Sequence, residues 1–520
     1  MNASKYKWFA KGDLNAFFAL MLDNVQNLVI LTAILIGFGY PAEYIFKLMI
    51  PGTALGVLIG DVVYTIMAVR LARRTGKEDV TAMPLGLDTP STIGVAVVVL
   101  GPVWLETKDP ILTWQVGMAT MVFMGIIKLI CSFFGDWIRK TVPDAGLIGS
   151  LAGVGLALLA FLPLMNVFSA PIVGLIVLGL IFYSLIAGGR LPFGMPGAFF
   201  AIAVGTLLWH FFGRFDLLGT AYHVPLLKLN YGLPIPTFGF VAGLGKALDY
   251  LPVAIPFGIL TIVGGINVTE SARLAGDNYK TRNILLTEAI ATLAAGICGG
   301  VSQSTPYIGH PAYKKMGARA AYTLATGVFI GLGGCLGYIQ FIVDLIPAAA
   351  VMPILLFIGF EILGQGYREC SRYMNAVSFA LLPCIAELVR IVLTGMIHVD
   401  ASLLSALPPL LKSDAAQNFK IIEMLGRGFI VTAMLWGAAA SHMIDRRLKT
   451  SAVYFFICAL FTSFGLIHSA SIGGGLYLPW LPPDTMVIYY SIGYLSIAAI
   501  LFLLSFVPAE EASQGAKCQP

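Results

Sequence analysis

The chain is dominated by apolar segments that are long enough to cross a lipid bilayer. Runs of roughly 17–25 mostly apolar residues, the length of a spanning helix, recur from Leu14 to Val507. Only 11% of the 520 residues are charged, less than half of the ~25% typical of soluble domains. A soluble protein could not cover its surface with so few charges, and a disordered chain would be polar and charge-rich. The sequence therefore predicts an all-α polytopic membrane protein.

The apolar runs predict about 16 spans. The predicted spans are 14–38, 44–69, 91–103, 111–135, 145–166, 170–188, 197–213, 250–272, 283–301, 310–318, 320–342, 347–365, 375–395, 429–444, 451–470 and 485–507. If the N-terminus is cytoplasmic, most of the 32 Lys and Arg residues fall in cytoplasmic loops, as the positive-inside rule requires. We therefore expect a multi-pass protein of the cell inner or plasma membrane with both termini cytoplasmic.

Charge and cysteine patterns argue against several other classes. The net charge of +5 is spread over short loops without an aromatic-interleaved basic patch, so no nucleic-acid partner is expected. The seven cysteines show no paired spacing and are expected to be buried apolar residues, not ligands of a metal or members of disulfides. The N-terminus lacks a small-residue cleavage site, so the first apolar run is expected to remain as a span.

Two segments interrupt the helical pattern at membrane depth. Residues 80–94 (VTAMPLGLDTPSTIG) and 299–315 (GGVSQSTPYIGHPAYKK) are rich in Pro, Gly and polar residues, and each carries Thr-Pro followed closely by Ile-Gly. Each is predicted to be an extended strand that runs into a short half-helix. Irregular backbone at this depth must be buried in protein or line a cavity. The alternative is that both segments are ordinary loops between helices.

The two broken segments are the third and the tenth of the predicted spans, seven apart. A repeat unit with an odd number of spans places its second copy upside down in the bilayer. Interrupted segments at corresponding places in two such halves are the best sequence indication of a transporter binding site. The spacing therefore predicts an inverted repeat with a binding site where the two breaks meet.

Ionisable residues within the predicted spans are costly and often functional. They are Asp23, Asp61, Asp88, Lys128, Glu270, Glu288, Glu361, Glu387 and Arg390. Glu387 and Arg390 are three apart on one helical face and are expected to neutralise each other. Lys128 is expected to extend toward water near Asp136, and Glu361 lies near the cytoplasmic end of its span.

Glu270 lies in the polar stretch ILTIVGGINVTESARLAG, after Gly264 and Gly265. Asn267 precedes it by three residues and shares its helical face. A carboxylate in a desolvated site can gain and lose a proton near neutral pH. Both residues are therefore candidates for substrate binding, and Glu270 also for proton coupling. The alternative is a structural Glu satisfied by neighbouring Ser and Thr residues.

The two broken segments supply the other candidate residues. If both half-helices begin near the bilayer midplane, their N-terminal amides face each other and favour acceptor-rich groups. A planar ligand with carbonyl oxygens and ring N–H groups would suit these donors plus one carboxylate. The further substrate-binding candidates are Leu87, Asp88, Thr89, Tyr307, Ile308 and Gly309. His310 is a candidate for proton coupling or, alternatively, a structural residue of its half-helix.

The first span carries Asp23, Asn24, Gln26 and Asn27 within one apolar run. Asp23 and Asn27 are four residues apart and share a helical face, where they can bond each other. These groups are expected either to reach the binding site or to form hydrogen bonds between helices.

These motifs resemble the nucleobase/ascorbate transporter superfamily, which includes the uracil–xanthine and adenine–guanine–hypoxanthine permeases. The stretch INVTESARLAGD resembles the eighth span of that family, in which an acidic residue binds substrate, and Glu270 matches that residue. GGVSQSTPYIGHPAYKKMGARAAYTLATG resembles the tenth span, and LIPAAAVMPILLFIGFEILG resembles a run of the purine branch. Tyr307 and Gly309 stand where members carry an Asn or an acidic residue, so the second substrate-binding side chain of the family is missing.

The resemblance implies a seven-plus-seven inverted repeat, and the predicted spans exceed these fourteen by about two at the C-terminus. It also implies a core bundle that carries the site, a gate bundle that forms a homodimer surface, and an elevator motion of core against gate. The corresponding ranges are first-repeat core spans at 1–140, first-repeat gate spans at 141–215, second-repeat core spans at 250–345, second-repeat gate spans at 346–446, extra spans at 447–507 and a cytoplasmic tail at 508–520.

Residues and resemblance together predict a permease for a nucleobase-like or other small polar solute. The expected mechanism is proton-coupled symport, with Na+ as the alternative coupling ion and no cofactor or metal. Anion transport on the related sulfate/bicarbonate architecture is the alternative, since paired half-helix N-termini suit an anion. An enzyme is not expected because the six histidines are scattered and no nucleophile–base or metal motif is present. A single buried carboxylate suits alternating access better than an open channel.

Overall fold

The computed structural model describes residues 6–506 except 193–194, 196, 219–221, 223, 225–228, 398–413 and 472–474. These residues are mostly helical, and the prediction of an all-α polytopic membrane protein is confirmed. Seven of the described helices are long and apolar enough to cross a membrane, or eight if the bent pair Gln417–Gly426 and Phe429–Ile444 is one span. The predicted tail at 508–520 lies outside the described residues.

The elements follow the predicted order of spans. The first half contains α1 (Gly12–Gly37), α2 (Ala42–Thr75), β1 (Leu85–Leu87), α3 (89–107), α4 (Pro110–Ser132), α5 (Gly135–Thr141), α6 (Asp144–Ser169), α7 (Pro171–Ile186) and α8 (Gly197–Gly213). The second half contains α9 (Phe240–Ala247), α10 (Leu251–Leu274), α11 (Thr281–Ile297), β2 (Ser304–Pro306), α12 (His310–Lys315), α13 (Ala321–Leu336), α14 (Ile339–Leu345), α15 (Ala348–Glu369), α16 (Met374–Ile397), α17 (Asp414–Gly426) and α18 (Phe429–Ile444). The two extra helices are α19 (Leu448–Ser463) and α20 (Thr485–Leu504). Helices α5, α9, α14 and α17 were not predicted because they are too short to span a bilayer, and the predicted span 320–342 is divided between α13 and α14.

The two broken segments form the predicted strand and helix pairs. Strands β1 and β2 are antiparallel, with Leu85 opposite Pro306 and Leu87 opposite Ser304. Strand β1 leads into α3 and β2 leads into α12. Opposite strand directions are what an inverted repeat requires of its equivalent segments. The alternative of two ordinary loops is therefore excluded by the structure.

Polar side chains from neighbouring helices satisfy the backbone of these short strands. Asp61 Oδ1 accepts a hydrogen bond from the Leu85 amide at 3.2 Å, and Asn24 Oδ1 accepts one from the Leu87 amide at 3.1 Å. Buried backbone groups outside regular structure need such partners, most of all within a membrane. The isolated polar residues of α1 and α2 therefore hold the break in place.

The helices pack in two groups. Around the strand pair, α2 packs against α11 and α13, α4 packs against α10 and α11, and α1 packs against α13. In the second group, α6 packs against α15, α16 and α18, and α7 packs against α8 and α15. Contacts between the groups include those of α10 with α6 and of α1 with α8. The division of the sequence into core and gate ranges, and the homodimer, stay predictions.

Successive spans alternate in direction, so α1 and α6 begin on the membrane face where α2, α10 and α15 end. This face, which holds Gly12 at the start of α1 and Leu274 at the end of α10, is called the N-side face below. Its assignment to the cytoplasm stays a prediction.

Candidate functional site

A cavity of about 650 Å³ lies beside the strand pair. Most of its polar lining is contributed by α1, α10 and the two broken segments: Asp23, Gln26, Asn27, Asp88, Thr89, Thr261, Thr305 and Tyr307. Leu87, Ile308 and Gly264 also line it. The opposite wall is apolar apart from Asn166 of α6 and comes from α6, α15, α16 and α18, with Leu158, Leu355, Ile391 and Phe429 among its residues. The cavity therefore lies between the two helix groups.

The polar residues of α1 divide between structure and cavity. Asn27 donates from Nδ2 to the Leu87 carbonyl at 3.4 Å and to the Asp23 main-chain carbonyl at 3.1 Å. Asn24 bonds β1 and does not line the cavity. Asp23 and Gln26 line the cavity. The sequence left open whether these residues reach the binding site or form hydrogen bonds to other segments. Asp23 and Gln26 line the cavity, Asn24 bonds to β1, and Asn27 does both.

Asp23 is the buried carboxylate that faces this cavity from α1. It is 6% exposed, and its Oδ2 makes no hydrogen bond within the described residues. The Tyr307 hydroxyl is the hydrogen-bonding neighbour of this carboxylate, although the contact lies outside normal hydrogen-bond geometry. Gln26 Oε1 and Asn27 Oδ1 are unpartnered in the same way. Since buried polar atoms are normally bonded, these groups are suited to hold a ligand or a proton.

Asp88 caps the helix that follows β1. Its Oδ2 accepts a hydrogen bond from the Ser91 amide at 2.9 Å at the N-terminus of α3. Negative charge there is favoured by the helix dipole. Thr92, one turn on, bonds to Ser302 with an oxygen–oxygen distance of 2.5 Å. Asp88 therefore stabilises the break and also contributes an acidic wall to the cavity.

Glu270 lies outside the lining of this cavity. It is paired with Arg139 of α5 (Nη1 to Oε2, 3.0 Å) and with Arg273 (Nε to Oε1, 2.7 Å). Six residues separate it from Gly264, which on a regular helix is a rotation of about 240° and a rise of about 9 Å. The geometry thus favours an ion-pair role near the N-side face, and the substrate-binding role of Glu270 stays a prediction without support from its contacts.

The residues around Glu270 close the cavity toward the N-side face. Asn267 donates from Nδ2 to Ser150 Oγ of α6 at 2.6 Å. Ser271 donates to Gln365 Oε1 of α15 at 2.5 Å, and Gln365 Nε2 donates back to the Ser271 carbonyl at 3.0 Å. Arg273 lies 3.7 Å from Asp144 of α6. These three side-chain pairs, here named the closing contacts, join α10 to the second helix group.

His310 does not line the cavity. Its Nε2 lies 3.3 Å from Asp277 Oδ2, and Lys314 Nζ lies 2.8 Å from Asp277 Oδ1. Burial would raise the pKa of Asp277, but the hydrogen bonds and charges of His310 and Lys314 outweigh it and hold the pKa below its usual value. The proton-coupling role of His310 stays a prediction, since the structure places its ring in this ion-pair network.

Lys128 is fully buried, which contradicts the expectation that it extends toward water near Asp136. Its Nζ lies 2.8 Å from Glu288 Oε1 and donates to the Ser304 carbonyl of β2 at 2.9 Å. The sequence prediction failed because the partner, Glu288, lies on another helix. The predicted pair of Glu387 and Arg390 is present, with Arg390 Nε 2.7 Å from Glu387 Oε2.

Gly309 shapes the cavity without lining it. A Cβ at this position would lie 2.9 Å from the rings of both Tyr307 and Tyr313, too close for either ring to stay in place. We expect Gly309→Ala to displace Tyr307 and to weaken ligand binding by about tenfold, or ~1.4 kcal/mol. The ligand-induced rise in melting temperature measures this. Tyr307→Phe is the comparison, because it changes the same ring directly. Unchanged affinity in Gly309→Ala would show that Gly309 does not shape the binding site.

Sequence reasoning missed Thr261 and the apolar wall of the cavity. Thr261 and Gly264 are three apart on α10 and share a face. Neither is ionisable, so a pattern of ionisable residues does not include them. The apolar wall carries no sequence signal of its own, because its residues resemble any lipid-facing stretch. Within the described residues, no group of three or more His, Cys, Asp and Glu is placed to hold a metal ion.

Comparisons with known proteins give remote structural likenesses. No protein-family model matches the chain, and no curated protein is significantly similar in sequence. The transmembrane domain of the cyanobacterial bicarbonate transporter BicA is similar with a TM-score of 0.44 and 16% identity, over 72% of this chain and 94% of that one. SLC26A9 is similar with a TM-score of 0.45 and 12% identity, over 72% of this chain and 62% of that one. Likenesses this remote leave function to be argued from the chain's own residues.

Proposed function

We propose that the protein is a secondary active transporter that moves a small polar solute together with a cation. The observation that carries the proposal is the 650 Å³ cavity at the crossing of two antiparallel broken segments, lined by Asp23, Gln26, Asn27 and Tyr307, which each have a polar atom without a hydrogen bond of normal geometry to the described residues. Irregular backbone and discontinuous helices at membrane depth are typical of transporter binding sites.

The position of the cavity supports alternating access. It lies between two helix groups, and its lining on α6 runs from Leu151 to Asn166, away from the N-side face. On the N-side, the closing contacts join α10 to α6 and α15. Release of a solute toward that face requires these contacts to break as one group moves against the other. A small set of polar contacts suits such a reversible closure better than a continuous apolar interface.

The charges of the lining support cation coupling. Two carboxylates, Asp23 and Asp88, line the cavity, while no Lys or Arg of the described chain does. An uncompensated charge in a desolvated site is costly, so a proton or Na+ is expected to bind there with the solute. Asp23 is the better candidate for the coupling site, because Asp88 already accepts a hydrogen bond at the start of α3.

Two solute classes fit this scheme. A small anion would lie near Thr89 at the start of α3, where Asp88 already caps the helix, so its binding requires that the coupled cation offset the carboxylates of the lining. A neutral nucleobase-like solute would bond to the amide groups of Gln26 and Asn27, whose acceptor atoms have no partner among the described residues. The polar groups of the cavity do not select between these two classes.

A ligand screen tests the proposal and separates the two classes. The purified protein is heated with uracil, xanthine, adenine and ascorbate, and separately with bicarbonate, sulfate and chloride, with and without Na+ at two pH values. A ligand present at 100 times its Kd stabilises the folded state by about 2.7 kcal/mol. Saturable, cation-dependent uptake of the identified solute into proteoliposomes supports the proposal. Ion currents that do not saturate would indicate a channel and contradict it.

Filling the cavity from Gly264 is expected to block transport without unfolding the protein. Gly264 lines the cavity, and a Cβ there would meet no atom within 4 Å. We expect Gly264→Leu to reduce uptake at least tenfold, because the new side chain fills part of the cavity in which the solute binds. Gly179→Leu is the matched control, since a Cβ at that position of α7 also meets nothing. Equal uptake by both variants would show that solute does not pass this wall.

A further inference from the structure

A second cavity, of about 600 Å³, lies on the N-side face, apart from the site described above. It is formed by the end of α2, helix α5, the loop after α10 and the start of α11. Five of its lining residues are basic: Arg74, Arg139, Lys140, Lys280 and Arg282. Its one acidic lining residue in the described chain is Asp136. This concave surface is called the basic cavity.

The basic side chains of this cavity are mostly uncompensated. Arg139 pairs with Glu270, but Arg74, Lys140, Lys280 and Arg282 form no ion pair with the described residues. Elsewhere on the N-side face, basic residues do have acidic partners, such as Lys314 with Asp277 and Arg372 with Asp445. Other basic residues of the N-side face, such as Arg446 and Lys449, lie outside this cavity; what distinguishes it is that five basic side chains line one concave surface.

The start of α11 adds to the positive potential. This 17-residue helix begins at Thr281, and its N-cap residue, Lys280, provides no side-chain hydrogen bond to the free amides. Uncapped amides at a helix N-terminus bind phosphate groups well. Asn278 and Asn283 line the same cavity and offer side-chain amide donors.

An exposed apolar track leads away from the basic cavity along the membrane-facing surface. On α4 and just after it, Ile126, Ile130 and Phe133 follow one helical face and are 42%, 57% and 55% exposed. On α11, which packs against α4, Leu286 lines the cavity and Ile290 is 52% exposed. The Arg282 guanidinium carbon lies 4.4 Å from the centroid of the Phe133 ring, so the basic cavity adjoins the apolar track there.

Aromatic residues mark the level of the bilayer interface at the same place. Phe134 and Trp137 are 58% and 67% exposed at the start of α5. The amphipathic ring of Trp is favoured at the headgroup level, and basic pockets beside spanning helices bind anionic headgroups. A soluble phosphate compound would contact the basic cavity alone, whereas the acyl chains of a lipid bound there would also cover the adjoining apolar track.

We propose that the basic cavity binds the phosphate headgroup of an anionic phospholipid whose acyl chains lie along the track of Ile126, Ile130 and Ile290. Lys280 and Arg282 hold the phosphate together with the first amides of α11. The ligand class is thus a phosphodiester lipid with net negative charge, bound on the face that the sequence predicts to be cytoplasmic.

Lipid titration of the purified full-length protein tests this. Dioleoyl phosphatidylglycerol is added to delipidated protein, and the melting temperature and the bound lipids counted by native mass spectrometry are followed. Wild type should be stabilised and should retain bound lipid. Lys280→Gln/Arg282→Gln should weaken the apparent affinity about tenfold or more, since each basic residue contributes to headgroup attraction. The charge-matched control Arg446→Gln/Lys449→Gln, on the same face outside the cavity, should bind as wild type does.

Further variants and further ligands test the same proposal. Lys280→Arg/Arg282→Lys should retain binding, and Arg74→Gln should weaken it if the double variant fails to fold. Dioleoyl phosphatidylcholine, glycerol 3-phosphate and inorganic phosphate should each protect wild type less than phosphatidylglycerol. The proposal is overturned if phosphatidylcholine or inorganic phosphate protects wild type as well as phosphatidylglycerol does. It is also overturned if Lys280→Gln/Arg282→Gln and Arg74→Gln both bind phosphatidylglycerol as wild type does.

Discussion

Replacing Asp23 by Asn is expected to abolish the stimulation of uptake by a cation gradient and to lower uptake itself more than tenfold. The Asp23 carboxylate is buried against the cavity, and its Oδ2 has no hydrogen-bond partner among the described residues. A hydrogen bond to a charged group is worth about 1.5–3 kcal/mol, and Asn retains the shape of Asp while losing the charge. Uptake into proteoliposomes with and without an imposed gradient measures both effects.

The matched variant for this experiment is Glu270→Gln. Glu270 is the carboxylate to which the family resemblance assigns substrate binding, but the structure pairs it with Arg139 and Arg273 outside the cavity. We expect Glu270→Gln to keep gradient stimulation and to change mainly the strength of closure at the N-side face. Loss of coupling in Glu270→Gln, with coupling retained in Asp23→Asn, would restore the sequence-based assignment and refute the one proposed here.

Removing Lys128 is expected to destabilise the protein by about 3–5 kcal/mol, the usual cost of leaving a buried charge without its partner. Lys128 and Glu288 are both 0% exposed and lie 2.8 Å apart. Lys128 also donates to the Ser304 carbonyl, which belongs to the strand pair beside the cavity. Thermal unfolding of Lys128→Met in detergent measures the loss.

A double variant separates the buried charge from general misfolding. Lys128→Met/Glu288→Gln removes both charges and should recover most of the lost stability, because neutralising both partners avoids the isolated carboxylate. Lys246→Met, which breaks the more exposed pair with Glu106, should have little effect, as surface pairs contribute little. If Lys128→Met has the same melting temperature as wild type, the ion pair does not stabilise β2.

The sequence predicted the elements well because the bilayer imposes strong and local rules. Length and hydropathy alone placed the spans, from α1 through the two extra helices α19 and α20. Prolines, glycines and polar residues at 80–94 and 299–315 marked the broken segments, since a dense cluster of such residues disfavours a continuous helix. Asp88, Thr89, Leu87, Tyr307 and Ile308 were found in this way, and the cavity brings them together.

The sequence did not indicate which way α10 faces. Glu270, Asn267 and Gly264 all stand in one polar stretch, yet only Gly264 lines the cavity. The helical rotation between these positions turns Asn267 toward Ser150 and Glu270 toward Arg139. A family motif identifies the span, but the partners of each side chain depend on helices more than 100 residues away in the sequence.

The recurrent apolar runs by themselves determined that this is a polytopic helical membrane protein with two interrupted spans, because hydrophobic length and helix-breaking residues act locally. Only the tertiary structure decided which polar groups share a space. It joined Asp23 to Tyr307 at one cavity, buried Lys128 against Glu288, and gathered Arg74, Lys140, Lys280 and Arg282 at another. The physical reason is that electrostatic partnership depends on distance across helices, and this distance is set by packing and not by sequence spacing.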